Sequence, residues 1–182
     1  MKRIAIIGSG GAGKSTLARQ IGEATGLPVV HLDREHWQPG WVSPAPDAWA
    51  ARVDQLAAAD SWVIDGNYGG TMDVRLERAD TIVFMDLPRW LCVFRATKRA
   101  LIFRDGIRPD MAPGCDEKLD WAFLKWIWDY PRTRRPGILV RLRRERAAGK
   151  RVVRLRSTRQ VRGFIRWLEV TESPREERSP AQ

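Results

Sequence analysis

The chain has 182 residues, 43% of them apolar, and carries 32 Lys and Arg against 22 Asp and Glu, for a formal charge of +10. This length suits one domain with a sizeable core, no apolar run approaches the roughly 18 residues that span a bilayer, and Gly8 interrupts the first run too early for a secretory signal, so a cytoplasmic protein is expected. The two cysteines, Cys92 and Cys115, and the two histidines, His31 and His36, show neither C-x-x-C nor H-E-x-x-H spacing, which excludes a disulfide framework and a metal held by protein ligands alone as organising devices.

The apolar run Ile4-Ala5-Ile6-Ile7 reads as a strand that runs into Gly8-Ser9-Gly10-Gly11-Ala12-Gly13-Lys14-Ser15 and then, from about Lys14, into a helix that includes Thr16. The pattern G-x-x-x-x-G-K-[ST] places glycines where backbone N–H groups turn inward around phosphate oxygens. Lys14 then supplies a cation to the β- and γ-phosphates, and Ser15 offers a hydroxyl to Mg²⁺. The same glycines also satisfy G-x-G-x-x-G, with Asp33 near the distance expected of a ribose-binding acid, so a dinucleotide site is the competing reading. Lys14-Ser15 favours the triphosphate.

Residues 15–25 suit a helix ended by Gly26-Leu27-Pro28, and residues 28–32 a short buried strand with Asp33 at its end. An aromatic loop follows over 34–41. Residues 45–59 read as a helix and 62–64 as the third strand, closed by Asp65-Gly66-Asn67-Tyr68-Gly69-Gly70. A short helix over 72–78 leads to a fourth strand over 81–85, and Pro88 opens a helix over 89–103. The glycines and prolines of 104–116 suggest an exposed loop, and apolar spacing predicts a helix over 117–130. A basic helix over 138–148, a fifth strand over 151–155 and a helix over 158–168 complete one domain over 1–170; 171–182 is polar and is expected to be a disordered tail. Regular alternation of helix and strand predicts an α/β fold with a parallel sheet covered on both faces.

Phosphoryl transfer also needs a metal organiser, cations for the migrating charge and an acceptor pocket. Asp65, ending an apolar strand, is the candidate Mg²⁺ organiser together with Ser15. Arg95 and Arg99 lie one helical turn apart and can face one phosphate cluster. Asp33 is the candidate acceptor-binding residue or base, and Trp37, Trp41 and Tyr68 are candidate acceptor-stacking aromatics. Arg104 and Arg108 can close over the nucleotide from a lid.

In these motifs, together with Leu32-Asp33-x-x-His36-Trp37-x-Pro39-Gly40-Trp41, Asp86-Leu87-Pro88-Arg89 and Arg95-x-x-x-Arg99, the chain resembles the P-loop nucleoside and nucleotide kinases. Within them it is similar to the adenylate-kinase-related proteins labelled DNA topology modulation proteins. The resemblance implies a three-layer P-loop NTPase fold with five parallel strands, an acceptor-binding segment at about 33–60 and a helical, arginine-rich lid at about 104–130. It implies ATP (or GTP) and Mg²⁺ as cofactors, with Gly8 to Ser15 holding the nucleotide and Arg95 and Arg99 the transferring phosphate. Asp65-Gly66 is similar to the adenylate-kinase Asp-Gly turn, but the Pro-Arg expected next is replaced by Tyr68-Gly69. The arginine that would hold an acceptor phosphate must then come from elsewhere, Arg75 or Arg34 being the candidates.

The expected function is an ATP- and Mg²⁺-dependent phosphotransferase acting on a nucleoside, nucleotide or related small acceptor. The alternative is a nucleotide-regulated nucleic-acid-binding protein, for which residues 132–156, with ten arginines and Lys150 against Glu145, form the candidate patch. The oligomeric state is left open.

Overall fold

Period-2 alternation along the strands decides how the layers assemble. In the computed structural model, which describes residues 1–103, 111–115 and 120–172, β1 (Arg3–Gly8) is buried from Ile4 onward. Ile4 and Ile6 point to one core and Ala5 and Ile7 to the other. β4 (Thr81–Met85) repeats the division, with Val83 and Met85 on the first side and Ile82 and Phe84 on the second. With β2 (Val29–His31), β3 (Trp62–Asp65) and β5 (Arg151–Leu155) they form an all-parallel sheet of order β2-β3-β1-β4-β5.

Helices cover both faces. α1 (Lys14–Thr25), α5 (Arg89–Ile102), α6 (Trp121–Thr133) and α8 (Thr158–Glu172) contribute Leu17, Cys92, Ile127 and Phe164 to the first core. α3 (Pro46–Ala58), α4 (Met72–Arg78) and α7 (Arg135–Ala147) contribute Val53, Leu76 and Leu142 to the second. The predicted five-stranded α/β architecture is therefore present. Among the described residues, no helix is long and apolar enough to cross a membrane.

Because the chain moves outward from β1 to β2 and then crosses β1 to reach β4, the order reverses beside β1. In an open parallel sheet that reversal leaves a crevice at the carboxyl edge of the strands. Gly8, the last residue of β1, pairs with Met85, and Asp65 pairs with both Ile6 and His31. The strand-end residues singled out in the sequence therefore converge at one edge.

Four local expectations change. The aromatic loop expected over 34–41 begins as a short helix, α2 (Leu32–His36), whose first turn carries Asp33 and Glu35; acidic residues there suit the positive end of the helix. Asp33 thus stands in the first turn of α2, past the end of β2. The helix expected over 117–130 is described from Trp121, where Asp120 caps it by accepting from Ala122 N at 2.8 Å, and it runs through Pro131 to Thr133. Pro131 has no N–H to give the Ile127 carbonyl, so α6 runs through it with one helical hydrogen bond missing, whereas Pro136 in the first turn of α7, where no N–H is needed, starts the next helix earlier than its apolar pattern suggested. α8 continues to Glu172, two residues into the expected tail; 173–182, like 104–110 and 116–119, lie outside the described residues.

The basic segment is largely committed to the fold. Arg135 and Arg154 both bind Asp86, at 2.9 and 2.5 Å, and Arg141 binds Asp73 at 2.8 Å. Arg144 and Lys150 flank the buried Glu145 at 2.9 and 2.8 Å, and Arg146 donates to the Val152 carbonyl. At the opposite edge of the sheet, Asp80 accepts from the amides of Lys2 and Arg3 and from the Thr81 hydroxyl.

Burial opposes ionisation of Glu145 and Asp80, but hydrogen bonds from Lys150 and Arg144, and from Arg3, Lys2 and Thr81, hold both carboxyls below their ordinary values. A carboxyl depressed on folding stabilises the native state above its unfolded pKa and loses that contribution as pH falls through the folded value. Urea midpoints are accordingly expected to drop between about pH 5 and about pH 3, with Glu145→Gln flattening the loss; an unchanged profile in this variant would exclude the Glu145 contribution.

Candidate active site

The glycine-rich loop can follow its path only because side chains are missing. Gly11 has φ 71°, and a Cβ there would lie 2.1 Å from the Cys92 carbonyl oxygen at the start of α5. At Gly8, with φ 151°, a Cβ would meet the Met85 carbonyl at 2.6 Å. Neither clash can be relieved by rotating a side chain, so the loop is drawn against β4 and α5. Gly8 and Ser9 sit behind the surface, while Gly10, Gly11, Ala12, Gly13, Lys14, Ser15 and Thr16 line a cavity of about 1580 Å³.

Lys14 Nζ donates to the Ser9 carbonyl at 3.0 Å. Burial pushes its ammonium down from the ordinary lysine value, against the pull of Asp33 and Asp65 and with the help of Arg99. Ser15 Oγ donates to Asp65 Oδ2 at 2.9 Å, which directs its proton away from the cavity and its lone pairs toward it. The other carboxylate oxygen of Asp65 meets His31 Nδ1 at 2.5 Å. Asp65 is 3% exposed and touches the cavity only through Ser15. A hydroxyl backed by a carboxylate is a hard-oxygen donor set, so these two residues fit Mg²⁺, a cation that keeps most of its waters. Among the described residues, no cluster of three or more His, Cys, Asp or Glu side chains could hold a metal.

Arg95 and Arg99 both line the cavity from α5, as their spacing predicts. Arg95 Nη2 also donates to Thr158 Oγ1 at the start of α8. Arg104 and Arg108 lie outside the described residues.

Asp33, Trp37, Trp41 and Tyr68 line the same cavity. Tyr68 donates to Asp33 Oδ1 at 2.8 Å, and its phenol is pushed far up by burial first and then by the charge of Asp33. Trp37 and Trp41 meet edge to face at 5.3 Å and pack on Met111, Ala112 and Cys115. Gly40 N donates to the Gly114 carbonyl, so the described part of the expected lid is clasped to the expected acceptor segment. Trp41 and Tyr68 are the two non-glycine residues with positive φ, at 64° and 37°, among the described residues. Such conformations persist only where surrounding contacts hold them, and both lie on the cavity wall.

Two residues escaped the sequence reading. Asn67 accepts from Gly8 N at 3.1 Å and donates to Gly8 O at 2.6 Å, pinning the start of the loop to the turn after β3. An amide has the donor and acceptor this needs, but the pairing joins residues 59 apart in the chain. His31 reads from the sequence as a structural or substrate-contacting residue; only the parallel register of β2 with β3 places it beside Asp65.

No family model and no curated protein matches the chain. Solved structures do. A gluconokinase from Sinorhizobium meliloti 1021 aligns with a TM-score of 0.52 and 18% identity over 93% of this chain and 90% of that one. A shikimate kinase from Acinetobacter baumannii in complex with shikimate gives 0.55 and 16% over 92% and 90%, and a sugar kinase from Janibacter sp. HTCC2649 gives 0.51 and 15% over 94% and 96%. The fold is that of the P-loop kinases. At these identities the likeness is one of fold, and the DNA topology modulation subtype finds no counterpart among these three.

Neither substitute for the missing acceptor arginine serves. Arg34 is exposed and does not line the cavity, and Arg75 is fully buried. Its guanidinium donates to the carbonyls of Gly66 and Asn67 at 2.9 and 2.5 Å, and burial pushes it down to about 10. Arg75 therefore shapes the turn that carries Asn67 and Tyr68. Arg75→Met is expected to cost about 2–4 kcal/mol in urea unfolding, because it strands those carbonyls; wild-type stability combined with a raised acceptor KM would instead make it a substrate contact.

Proposed function

We propose that the protein is a kinase that transfers the γ-phosphoryl group of ATP to a hydroxyl of a small acceptor, with Mg²⁺ as the metal. The observation that carries this reading is the placement of Asp33, fixed by Tyr68, in the same cavity as Lys14, Ser15, Arg95 and Arg99. A hydroxyl needs a carboxylate to take its proton, whereas an acceptor phosphate is already anionic and calls for cations. The commitment of Arg75 to backbone carbonyls supports the hydroxyl. So do the names of the structural neighbours, which refer to gluconate, sugars and shikimate, all of them alcohols.

In this reading the amides of Gly10 to Ser15 cradle the donor phosphates, Lys14 leaves the Ser9 carbonyl to bind them, and Arg95 and Arg99 balance charge on the migrating group. Asp33 takes the acceptor proton as the acceptor oxygen bonds to the γ-phosphorus and the bond from that phosphorus to the bridging oxygen breaks, releasing ADP. Ser15 and Asp65 hold the metal, whose chemistry is to neutralise phosphate charge. Trp37 and Trp41 offer the acceptor aromatic surface and exclude water from the transfer. GTP remains the alternative donor. The nucleic-acid reading has a weaker footing, because much of its basic segment pairs with Asp73, Asp86 and Glu145.

An acceptor screen of nucleosides, nucleoside monophosphates and small alcohols, read as acceptor-dependent ADP release, tests the proposal. Asp33→Asn is expected to lower kcat on the responding alcohol by about 10²–10⁴-fold with ATP affinity retained. A loss of less than about threefold would remove Asp33 as the base. Thermal protection by ATP with Mg²⁺ is expected to disappear on chelation and in Lys14→Ala; a wild type that neither nucleotide protects would sink the whole reading.

A further inference from the structure

A second space, of about 10 Å³, lies between Ser9, Asp86 and Tyr130. Ser9 and Tyr130 are 5% and 4% exposed, and both hydroxyls are buried without a hydrogen-bond partner among the described residues. A stranded buried hydroxyl is costly, and two facing one space are rarely left so. Asp86 lines the same space with its carboxylate bound to Arg135 and Arg154, and its charge is felt at the Tyr130 phenol. Arg89, also on the wall, stacks its guanidinium 4.1 Å over Trp128. The volume sits at the lower limit for one water, which needs two to four polar partners.

We propose that one buried water, held by Ser9 Oγ, the Tyr130 hydroxyl and the Asp86 carboxylate, ties the phosphate loop to α6 and to the Arg135–Asp86–Arg154 cluster, making Ser9 and Tyr130 positioning residues for nucleotide binding. Ser9 is the residue to fix, since its carbonyl receives Ala12 N within the loop itself, a bond that stays when Lys14 Nζ leaves that carbonyl for the phosphates. α6 is a suitable anchor because Phe123 and Ile127, two turns and one turn before Tyr130, already press on Gly10: a Cβ there would lie 2.6 Å from Phe123 Cζ. The water completes that contact with directional bonds that packing alone does not supply. The functional half of this inference rests on the donor-site reading of the loop; the water site itself does not.

The test has two arms on the full chain. A crystal structure that resolves ordered solvent is expected to show density bonded to all three groups; an empty space or a direct Ser9–Tyr130 contact overturns the proposal, whatever the protein binds. In calorimetric titrations with ATP and Mg²⁺, Ser9→Ala and Tyr130→Phe are each expected to weaken binding about three- to tenfold, and the double variant no more than the weaker single, because both hold the same molecule. Additive losses, or none, overturn the positioning role. A wild type with the water but no ATP binding would fail the donor reading, and the positioning role with it, while leaving the site standing.

Discussion

A buried carboxylate must be satisfied or it unravels its surroundings, and Asp65 is the one on which the active edge depends. It closes β3, takes the Ser15 hydroxyl from the first turn of α1 and meets the His31 ring from the end of β2. One side chain thereby sets the approach of a helix, the reach of an edge strand and the orientation of the Ser15 hydroxyl. Its position in the central part of the sheet gives it little freedom to adapt. Ser15 and His31 are then matched to it: one donates from each side, and the charge stays where the fold can hold it.

The two halves of the cavity are built in different ways. The half around the glycine loop is backbone: glycines drawn against strand and helix, an asparagine clamp on Gly8, and cations reaching in from α1 and α5. Backbone geometry of this kind suits a common ligand such as a triphosphate. The half around Asp33 is side chain: a tyrosine and a tryptophan in left-handed conformations, edge-packed rings, and a short helix that carries Asp33. Side-chain walls change readily with sequence, which fits a fold whose neighbours are named for different acceptors.

Much of this was legible in the sequence where local signals and fold agree. Apolar strands, the Gly8–Ser15 pattern and the Arg95–Arg99 spacing need only chain-local geometry, and each stands where that geometry predicts. What escaped depends on register and on long-range partners. Nothing near Asn67 announces a bond to Gly8, and nothing near Arg75 announces that it will serve backbone carbonyls in place of a substrate. The helix at Leu32–His36 was hidden because its aromatic, proline-bearing sequel has loop composition. Charge shows the same limit: the sequence does not reveal that several basic residues of 132–156 pair with Asp73 and Asp86 from other parts of the chain and with Glu145 in their own segment.

The passage of α6 across the sheet has a different consequence. Its Leu124 and Ile127 belong to the core on one face, Tyr130 to the core on the other, and Trp126 packs against both. A conventional three-layer protein has two hydrophobic cores separated by a sheet, and each can in principle loosen by itself. Here a single helix is shared between them, so opening either layer strips packing from the other. The molecule is thereby wired for cooperative melting, and the helix that sits on the phosphate loop is also the one that makes its two faces a single thermodynamic unit.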